Sequence, residues 1–412
     1  MCAPSLLFIA TMTLMLFHSP DAPVPSYDRF ALLLLVFVGL LRACLRREPL
    51  DLAGPVTWPM LALLLFALCG ALAQPYEAET WSMFAARWLV PFVLYQLAAY
   101  VFDDPKSLRQ FELFTLLVLG YLSLIAVFFM AGMKEFIFPR YILDESFGIH
   151  ADRARGPFLQ AVANGLALNL LGLLALDSFR RRRLRGVAAL FLLAALPLAI
   201  VATRTRAVWA SFAGSILMLL LSTRNARLRR GCLVLAVAGP IAIVALLSYA
   251  DHHRSLSERM EESGPVKFRM AVYQAGWEMF LERPFSGWSE RAMQAELANR
   301  ITEFHDERYY FHNTYLEILV RYGLIGLGLY LWVVIDLFRI GRKRLCSNFS
   351  PDGALLDEQF RSVWPLMVLV YLVNATFVGM NYQFVNGFLF TLAGMLVAQN
   401  RLHGKEIHVL NS

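Results

Sequence analysis

Apolar runs of about 16–25 residues recur along the whole chain, and short polar connections separate them. An α-helix needs about 20 apolar residues to cross a bilayer, so each run is long enough for one membrane span. A soluble core could not bury this much apolar surface, because 58% of the residues are hydrophobic and only 17% are charged. The sequence therefore predicts an all-α, polytopic membrane protein.

About twelve transmembrane helices fit the pattern of these runs. They lie near 3–18, 29–45, 56–74, 85–102, 110–132, 157–178, 187–203, 207–222, 231–249, 313–337, 363–380 and 383–400. The first two are short or weakly delimited, so eleven spans remain an alternative. Met1 to His18 has no basic start and no small-residue cleavage site, which favours an uncleaved span over a signal peptide. Twelve spans would place both termini on one side.

Lysine and arginine cluster in alternate connections, which is the pattern of cytoplasmic loops. The clusters are Arg42, Arg46 and Arg47; Lys106 and Arg109; Arg180 to Arg183 with Arg185; Arg224, Arg227, Arg229 and Arg230; Arg339, Arg342, Lys343, Arg344 and Arg361; and Arg401 with Lys405. We interpret them as topological signals, and they account for the net charge of +7 without a nucleic-acid partner. Both termini are then cytoplasmic, and the other loops face the periplasm or the cell exterior.

One outside loop is much longer than the others, and it divides the chain into 1–250 (spans 1–9), 251–312 (the loop) and 313–412 (spans 10–12 and a short cytoplasmic tail). Pro265 and Pro284 delimit a predicted helix within the loop, and Ser289 is a candidate cap for a second helix that ends near Arg300. The first helix carries a broad apolar stripe. We therefore predict a partly helical lid that lies against the spans or the membrane surface.

Several arginines lie on the outside face, where short loops usually avoid positive charge. They are Arg155, Arg204, Arg206 and, in the lid, Arg269. Pairing with outside carboxylates would explain them, and so would binding of an anionic ligand, because an arginine fork binds two phosphate oxygens at once. His312 follows the lid at the mouth of the tenth span. A histidine there can be structural, or it can take up a proton near neutral pH.

Charged residues are scarce at mid-membrane depth, which argues against an ion-coupled transporter. Glu317 and Arg321 lie one to two turns below the predicted outer boundary with i, i+4 spacing, so mutual pairing explains them. No metal-binding histidine motif, no nucleotide-binding loop and no disulfide framework occurs in the sequence. The sequence thus predicts no metal and no cofactor.

Four short motifs, in this order, resemble the O-antigen ligase and polymerase superfamily. Arg155-Gly-Pro-Phe158 with Asn164 resembles the opening of the family's sixth span, and Thr203-x-Thr205-Arg206-Ala207 resembles its outside turn. Arg269, Trp277 and Pro284-x-x-Gly287 resemble the run ahead of the family's histidine. His312-Asn-x-Tyr315-Leu, followed by Gly323-x-x-Gly326, resembles the motif around that histidine.

The resemblance implies a metal-independent glycosyltransferase of the bacterial inner membrane, with a GT-C-like fold and a periplasmic active face. It implies an undecaprenyl-pyrophosphate-linked glycan as donor and, for a ligase, lipid A–core as acceptor. By matching position, His312 would be the general base, and Arg206 and Arg269 would bind the pyrophosphate. Further candidates for substrate binding are Arg204, Arg155, Arg87, Asn313 and Tyr315. For Tyr315, Trp277, Gly323 and Gly326, packing is the favoured explanation over contact with substrate.

Other functions remain as alternatives to a ligase. An O-antigen polymerase would use the same donor, but the arginine–glycine repeats of its outside loops are missing from this sequence. A protein O-oligosaccharyltransferase usually has more soluble material after its last span. A lipid-linked glycan transporter or flippase would need charges along an internal cavity, which the spans do not supply. The sequence therefore favours the ligase.

Overall fold

The structure is a computed structural model that describes residues 4–18, 26–46, 52–148, 151–250, 264–302, 309–342 and 360–410. All regular secondary structure within these ranges is helical. The helices are α1 (Pro4–Leu16), α2 (Tyr27–Arg46), α3 (Thr57–Leu72), α4 (Ala78–Phe84), α5 (Val90–Val101), α6 (Pro105–Met130), α7 (Ala161–Arg180), α8 (Gly186–Ala202), α9 (Arg206–Ser222), α10 (Ala226–Ala250), α11 (Gly264–Glu282), α12 (Glu290–Arg300), α13 (Thr314–Arg342), α14 (Phe360–Ala375) and α15 (Gln383–Leu410).

A helix lies at the position of every predicted span, which confirms a helical membrane protein. Four helical segments of the described residues are long and apolar enough to cross a membrane: Ala78–Val101, Pro105–Met130, Ala161–Arg180 and Thr314–Arg342. Six further apolar helices or helical segments of the described residues have 10–17 residues. The number of twelve spans therefore stays a prediction.

Two boundaries differ clearly from the sequence prediction. Residues 78–84, predicted as loop, form α4, and a π-helical turn over Ala85–Leu89 joins α4 to α5 and carries Arg87. The last helix continues to Leu410, through the predicted tail. Some predicted features lie wholly or partly outside the described residues: the connection near 19–28 between the first two spans, the first part of the lid (251–263), and Arg47, Lys343 and Arg344.

The interior of the bundle is built by helices that are apolar on all sides. Nearly every side chain of α7 is buried, as expected for a helix without a polar face. The last helix packs closely on α5, where a Cβ on Gly394 would lie 2.3 Å from the carbonyl oxygen of Tyr95. Only glycine permits this approach of the two backbones.

Hydrogen bonds place several predicted site segments at one end of the bundle. Ser211 of α9 accepts a bond of 2.9 Å from Asn374 at the end of α14. Thr314, at the start of α13, donates to the carbonyl oxygen of Val378 over 2.7 Å, just beyond the same end of α14. The N–H of Ala154 donates to the last residue of α8. We call this end, where α8 and α14 end and α7, α9 and α13 begin, the His312 end.

The opposite end carries arginines that we interpreted only as topological signals. Arg181 and Arg183 form ion pairs of 2.8 Å and 2.7 Å with Glu112, and Arg180 and Arg181 both pair with the buried carboxylate of Asp177. That interpretation was incomplete, because these arginines also neutralise two carboxylates that would otherwise be buried without a partner. The sequence could not indicate this, since Glu112 lies on another helix.

Candidate active site

His312 lies in the short segment that leads into α13, and its backbone is fixed on both sides. Asn313 caps the helix, because its Oδ1 accepts hydrogen bonds of 3.0 Å and 3.1 Å from the N–H groups of Tyr315 and Leu316. Thr314 accepts a further bond of 3.0 Å from the N–H of Met380. His312 itself has a φ of 50°, in the left-handed region that non-glycine residues rarely adopt. The segment is therefore held in a strained conformation by its neighbours.

The preceding residues are anchored to the lid helices α11 and α12, which formed as predicted on either side of Pro284. Gln294 of α12 exchanges two hydrogen bonds of 3.0 Å with the backbone of Tyr309. Phe311 is 2% exposed, and its ring lies where a Cβ on Gly276 of α11 would stand. His312 thus lies directly between the lid and the first turn of α13.

The tenth span, predicted over 313–337, is helical but interrupted at Gly323. That residue has a φ of 63° and breaks the regular hydrogen bonding of α13. The N–H of Leu324 donates to the carbonyl oxygen of Pro284, and the N–H of Trp288 donates to that of Val320, both over 2.8 Å. The turn of the lid therefore supplies the partners that the kinked helix lacks, as membrane depth demands.

Two motif glycines allow this backbone contact. A Cβ on Gly323 would lie 2.3 Å from the carbonyl oxygen of Phe285, and a Cβ on Gly287 would lie 2.4 Å from the backbone of Arg321. Both glycines also have positive φ. We predicted a packing role for Gly323, and the structure confirms it, although the partner is the turn between the lid helices and not another span.

A buried chain of charges lies beneath the lid. Glu317 pairs with Arg321 over 3.2 Å, as its spacing predicts, and with Arg87 over 2.8 Å. Arg321 pairs in turn with Glu290, the first residue of α12, over 2.8 Å. Arg87 also donates to the side chain of Asn381. The network contains two arginines and two glutamates, so it is neutral, and it connects the lid to the spans.

The side chains of Arg87 and Arg155 are both buried and bonded to other groups of the protein. Arg87 is 5% exposed and belongs to the network just described. Arg155 is 1% exposed and donates to three carbonyl oxygens of its own loop, those of Ile142, Asp144 and Phe147. Burial lowers the pKa of Arg155 below its usual value. The contacts of both residues are those of structural residues, although we had placed them among the pyrophosphate ligands.

Arg204, Arg206 and Arg269 are oriented differently. Arg206 starts α9 and is exposed, and Arg269 is exposed on α11. Arg204 is half-buried in the turn before α9 and has a φ of 47°. Hydrogen bonds of Thr203 and Thr205 to backbone carbonyl oxygens hold this turn, which explains the two threonines of the motif. The exposed guanidinium groups of Arg206 and Arg269 are available for a ligand.

Tyr315 has a structural role in this arrangement. Its hydroxyl donates to the carbonyl oxygen of Leu372 over 2.8 Å, and its ring packs edge-on against Tyr330. The hydrogen bond connects α13 to α14, the ring contact lies within α13, and both favour the packing interpretation of Tyr315.

Comparison with known families supports the resemblance that the motifs indicate. Residues 188–331 match the family model described as O-antigen ligase. This match of residues 188–331 supports an O-antigen ligase family assignment. No curated protein matches the sequence significantly. The matched segment contains Arg204, Arg206, Arg269 and His312, whereas Arg87 and Arg155 precede it.

The apolar helices and the family match together indicate an integral membrane protein. The matched family in general consists of glycosyltransferase-like enzymes that act on lipid-linked glycan and lipid A–core. Sequence analysis missed two members of the buried charge network, Glu290 and Asn381. The only sequence feature that could have indicated either residue is that each is a polar residue next to a predicted span or lid helix. Their partners could not be identified, because Asn381 lies 294 residues from Arg87 along the chain.

Proposed function

We propose that the chain is an O-antigen ligase of the bacterial inner membrane that works at the periplasmic face. It would transfer a glycan from undecaprenyl pyrophosphate to a sugar hydroxyl of lipid A–core. The observation that carries this proposal is the position of His312, strained and fixed between the lid and α13, within the segment that matches the family. Strain of this kind, where surrounding contacts impose it, is common at active sites.

His312 would act as the general base of a single displacement. It takes the proton of the acceptor hydroxyl while the oxygen attacks the anomeric carbon of the donor, and the bond from that carbon to the pyrophosphate oxygen breaks. The anomeric configuration is inverted. The base restores itself by releasing the proton to solvent.

The departing pyrophosphate gains negative charge, and Arg206 and Arg269 would stabilise it. Both guanidinium groups are exposed, and Arg206 starts a helix whose N-terminal N–H groups also favour an anion. Arg204 lies two residues before Arg206 in the same turn and would contribute to the same site. No metal ion is required in this mechanism, because the arginines supply the positive charge.

Transfer in vitro tests the proposal. Purified enzyme, lipid-linked O-antigen and lipid A–core are incubated with and without a chelator, and products are separated by size. The ligase proposal predicts glycan on lipid A–core in both conditions. Loss of transfer with chelator would contradict the metal-free mechanism, and lengthening of the glycan without lipid A–core would identify a polymerase instead.

A further inference from the structure

A cleft separates the end of α3 from lid helix α12 at the His312 end. It has an outer cavity of about 400 Å³ and an inner cavity of about 210 Å³. Gln74 and Glu290 line both cavities, so the two lie side by side. No residue of the proposed transfer mechanism lines this cleft, and its function is unassigned.

The outer cavity is polar. Glu77, Arg291 and Gln294 line it, and the ring of Tyr76 stands beside them with 78% of its surface exposed. Sugar hydroxyls both donate and accept hydrogen bonds, so they need donors and acceptors close together. An exposed tyrosine supplies a rigid ring for the apolar face of a sugar. The outer cavity thus has the chemistry of a saccharide site.

Hydrogen bonds between its walls hold the cleft in shape. The N–H of Arg291 on α12 donates to Gln74 Oε1 over 3.3 Å, and Gln74 Nε2 donates to the carbonyl oxygen of Gly70 over 2.8 Å. Thr80 donates to Glu77 over 2.8 Å. These bonds connect the lid to the end of α3, so the cleft exists before a ligand binds.

The inner cavity is mainly apolar and lies along a predicted membrane span. Aromatic rings of Phe66, Phe84, Trp288 and Tyr322 line it. On the α3 side it is bounded by Gly70, where an added Cβ would meet no atom within 4 Å. A polar outer part that lies beside an apolar inner part matches a molecule with a glycan at one end and hydrocarbon at the other.

The charge of the cleft favours a sugar over a pyrophosphate. Glu77 and Glu290 are balanced by Arg291 and Arg321, so the lining has no excess of cations. A pyrophosphate site requires such an excess, which Arg206 and Arg269 supply elsewhere. The donor is bound through its pyrophosphate, so the cleft suits the other substrate.

Residues in or beside the walls of the cleft form hydrogen bonds to the segment just before His312. Gln294 is bonded to the backbone of Tyr309, and Tyr310 donates a hydrogen bond of 3.2 Å to Glu79 beside the outer cavity. The ring centroids of Tyr310 and His312 are 6.3 Å apart. The walls of the cleft are therefore bonded to the segment that carries the proposed base.

We infer that this cleft binds the acceptor glycolipid, with its glycan against Tyr76 and Arg291 and its apolar part along α3. The identity of that glycolipid as lipid A–core rests on the proposed function. The cleft itself is defined by its shape, polarity and connection to the His312 segment.

Thiol labelling tests binding without requiring transfer. Cys69 lines the inner cavity, and both Cys69 and Cys44 are free and exposed. At saturating lipid A–core, alkylation of Cys69 by a maleimide should fall about tenfold while Cys44, outside the cleft, is unaffected. Unchanged labelling of Cys69, or protection by the lipid-linked donor in place of lipid A–core, would overturn the inference.

Filling the cleft tests its role in the reaction. Gly70→Leu places a side chain in the inner cavity, and Gly328→Leu is the matched control, because Gly328 is also exposed on an apolar helix with no atom within 4 Å of an added Cβ. We expect Gly70→Leu to raise KM for lipid A–core about tenfold without changing KM for the donor. Equal effects of the two variants, or an effect on the donor alone, would contradict the inference.

Tyr76→Ala gives a second comparison at the polar end, with the equally exposed Tyr27→Ala as its control. Only the first should raise KM for the acceptor. The experiments separate the two claims. If Gly70→Leu and Tyr76→Ala both transfer glycan with the KM of the wild-type enzyme, the ligase proposal stands and the proposed acceptor site is wrong. Protection of Cys69 without any transfer leaves glycolipid binding intact and overturns the ligase.

Discussion

His312 and Arg204 share a backbone conformation that costs about 1–2 kcal/mol in a residue with a side chain. Two threonines hold the turn of Arg204, and an asparagine cap with the lid holds His312. Such conformations persist only where surrounding contacts impose them. At the residue scale, strain thus supports the same two positions that the motifs indicate.

Arg87 provides a stability prediction at this scale. Arg87→Ala leaves Glu317 buried with one partner fewer, and removal of one partner from a buried pair costs about 3–5 kcal/mol. We expect a clear fall in Tm in detergent. The control is Arg42→Ala, which removes a partly exposed pair of 3.7 Å with Asp103 and should change stability by less than about 1 kcal/mol. Equal Tm values for both variants would refute a stabilising role of the network.

Arg206 and Arg269 provide a catalytic prediction. Arg206→Ala and Arg269→Ala should each reduce kcat about 100-fold or more, because stabilisation of the leaving group is lost. Lysine at either position should restore activity only in part, since it keeps the charge but not the fork. Both residues are exposed, so Tm should be unchanged. Full activity with lysine would show that charge alone matters at these positions.

At the element scale, the kink of α13 and the turn between α11 and α12 form one unit. The 29-residue helix Thr314–Arg342 is interrupted at Gly323, and the hydrogen-bonding groups exposed there bind the turn at Pro284 and Trp288. Movement of the lid away from α13 would leave these groups without partners. The turn between the lid helices is therefore a fixed attachment point.

A pair of glycines tests this attachment. Gly323→Ala should destabilise the protein by more than about 2 kcal/mol, because of its positive φ and the contact at 2.3 Å with Phe285. Gly328→Ala on the same helix meets no atom and should be neutral or slightly stabilising. Thermal unfolding in detergent measures both. A neutral Gly323→Ala would contradict the close contact between the turn and the helix.

The elements themselves could be predicted well from sequence, because apolar length, Pro284 and the Ser289 cap act locally. The kink could not, since Gly323 looks like any glycine in a span until the lid turn is seen against it. Only one partner of Glu317 could be predicted. Arg321 follows from helical spacing, but Arg87 lies 230 residues away along the chain and could not be identified. Within the predicted site, Arg206 and Arg269 are exposed and remain proposed pyrophosphate ligands, whereas Arg87 and Arg155 are buried.

For the whole molecule, the charge pattern predicts that both termini are cytoplasmic and that the lid is periplasmic. A fluorescent protein fused after Ser412 should fluoresce, and alkaline phosphatase inserted near residue 255 should be active. As controls, the two reporters are exchanged: alkaline phosphatase after Ser412 should be inactive, and a fluorescent protein near residue 255 should not fluoresce. An active phosphatase at the C-terminus would contradict the predicted orientation, and with it the periplasmic location of His312.

The rate of glycan transfer by purified His312→Ala tests the central claim most directly. The account predicts that transfer to lipid A–core is lost in this variant, that His312→Gln does not restore it, and that wild-type transfer slows on acidification because a protonated imidazole cannot accept a proton. An unchanged Tm would show that the fold is intact. Transfer at the wild-type rate by His312→Ala would contradict the assignment of His312 as the general base.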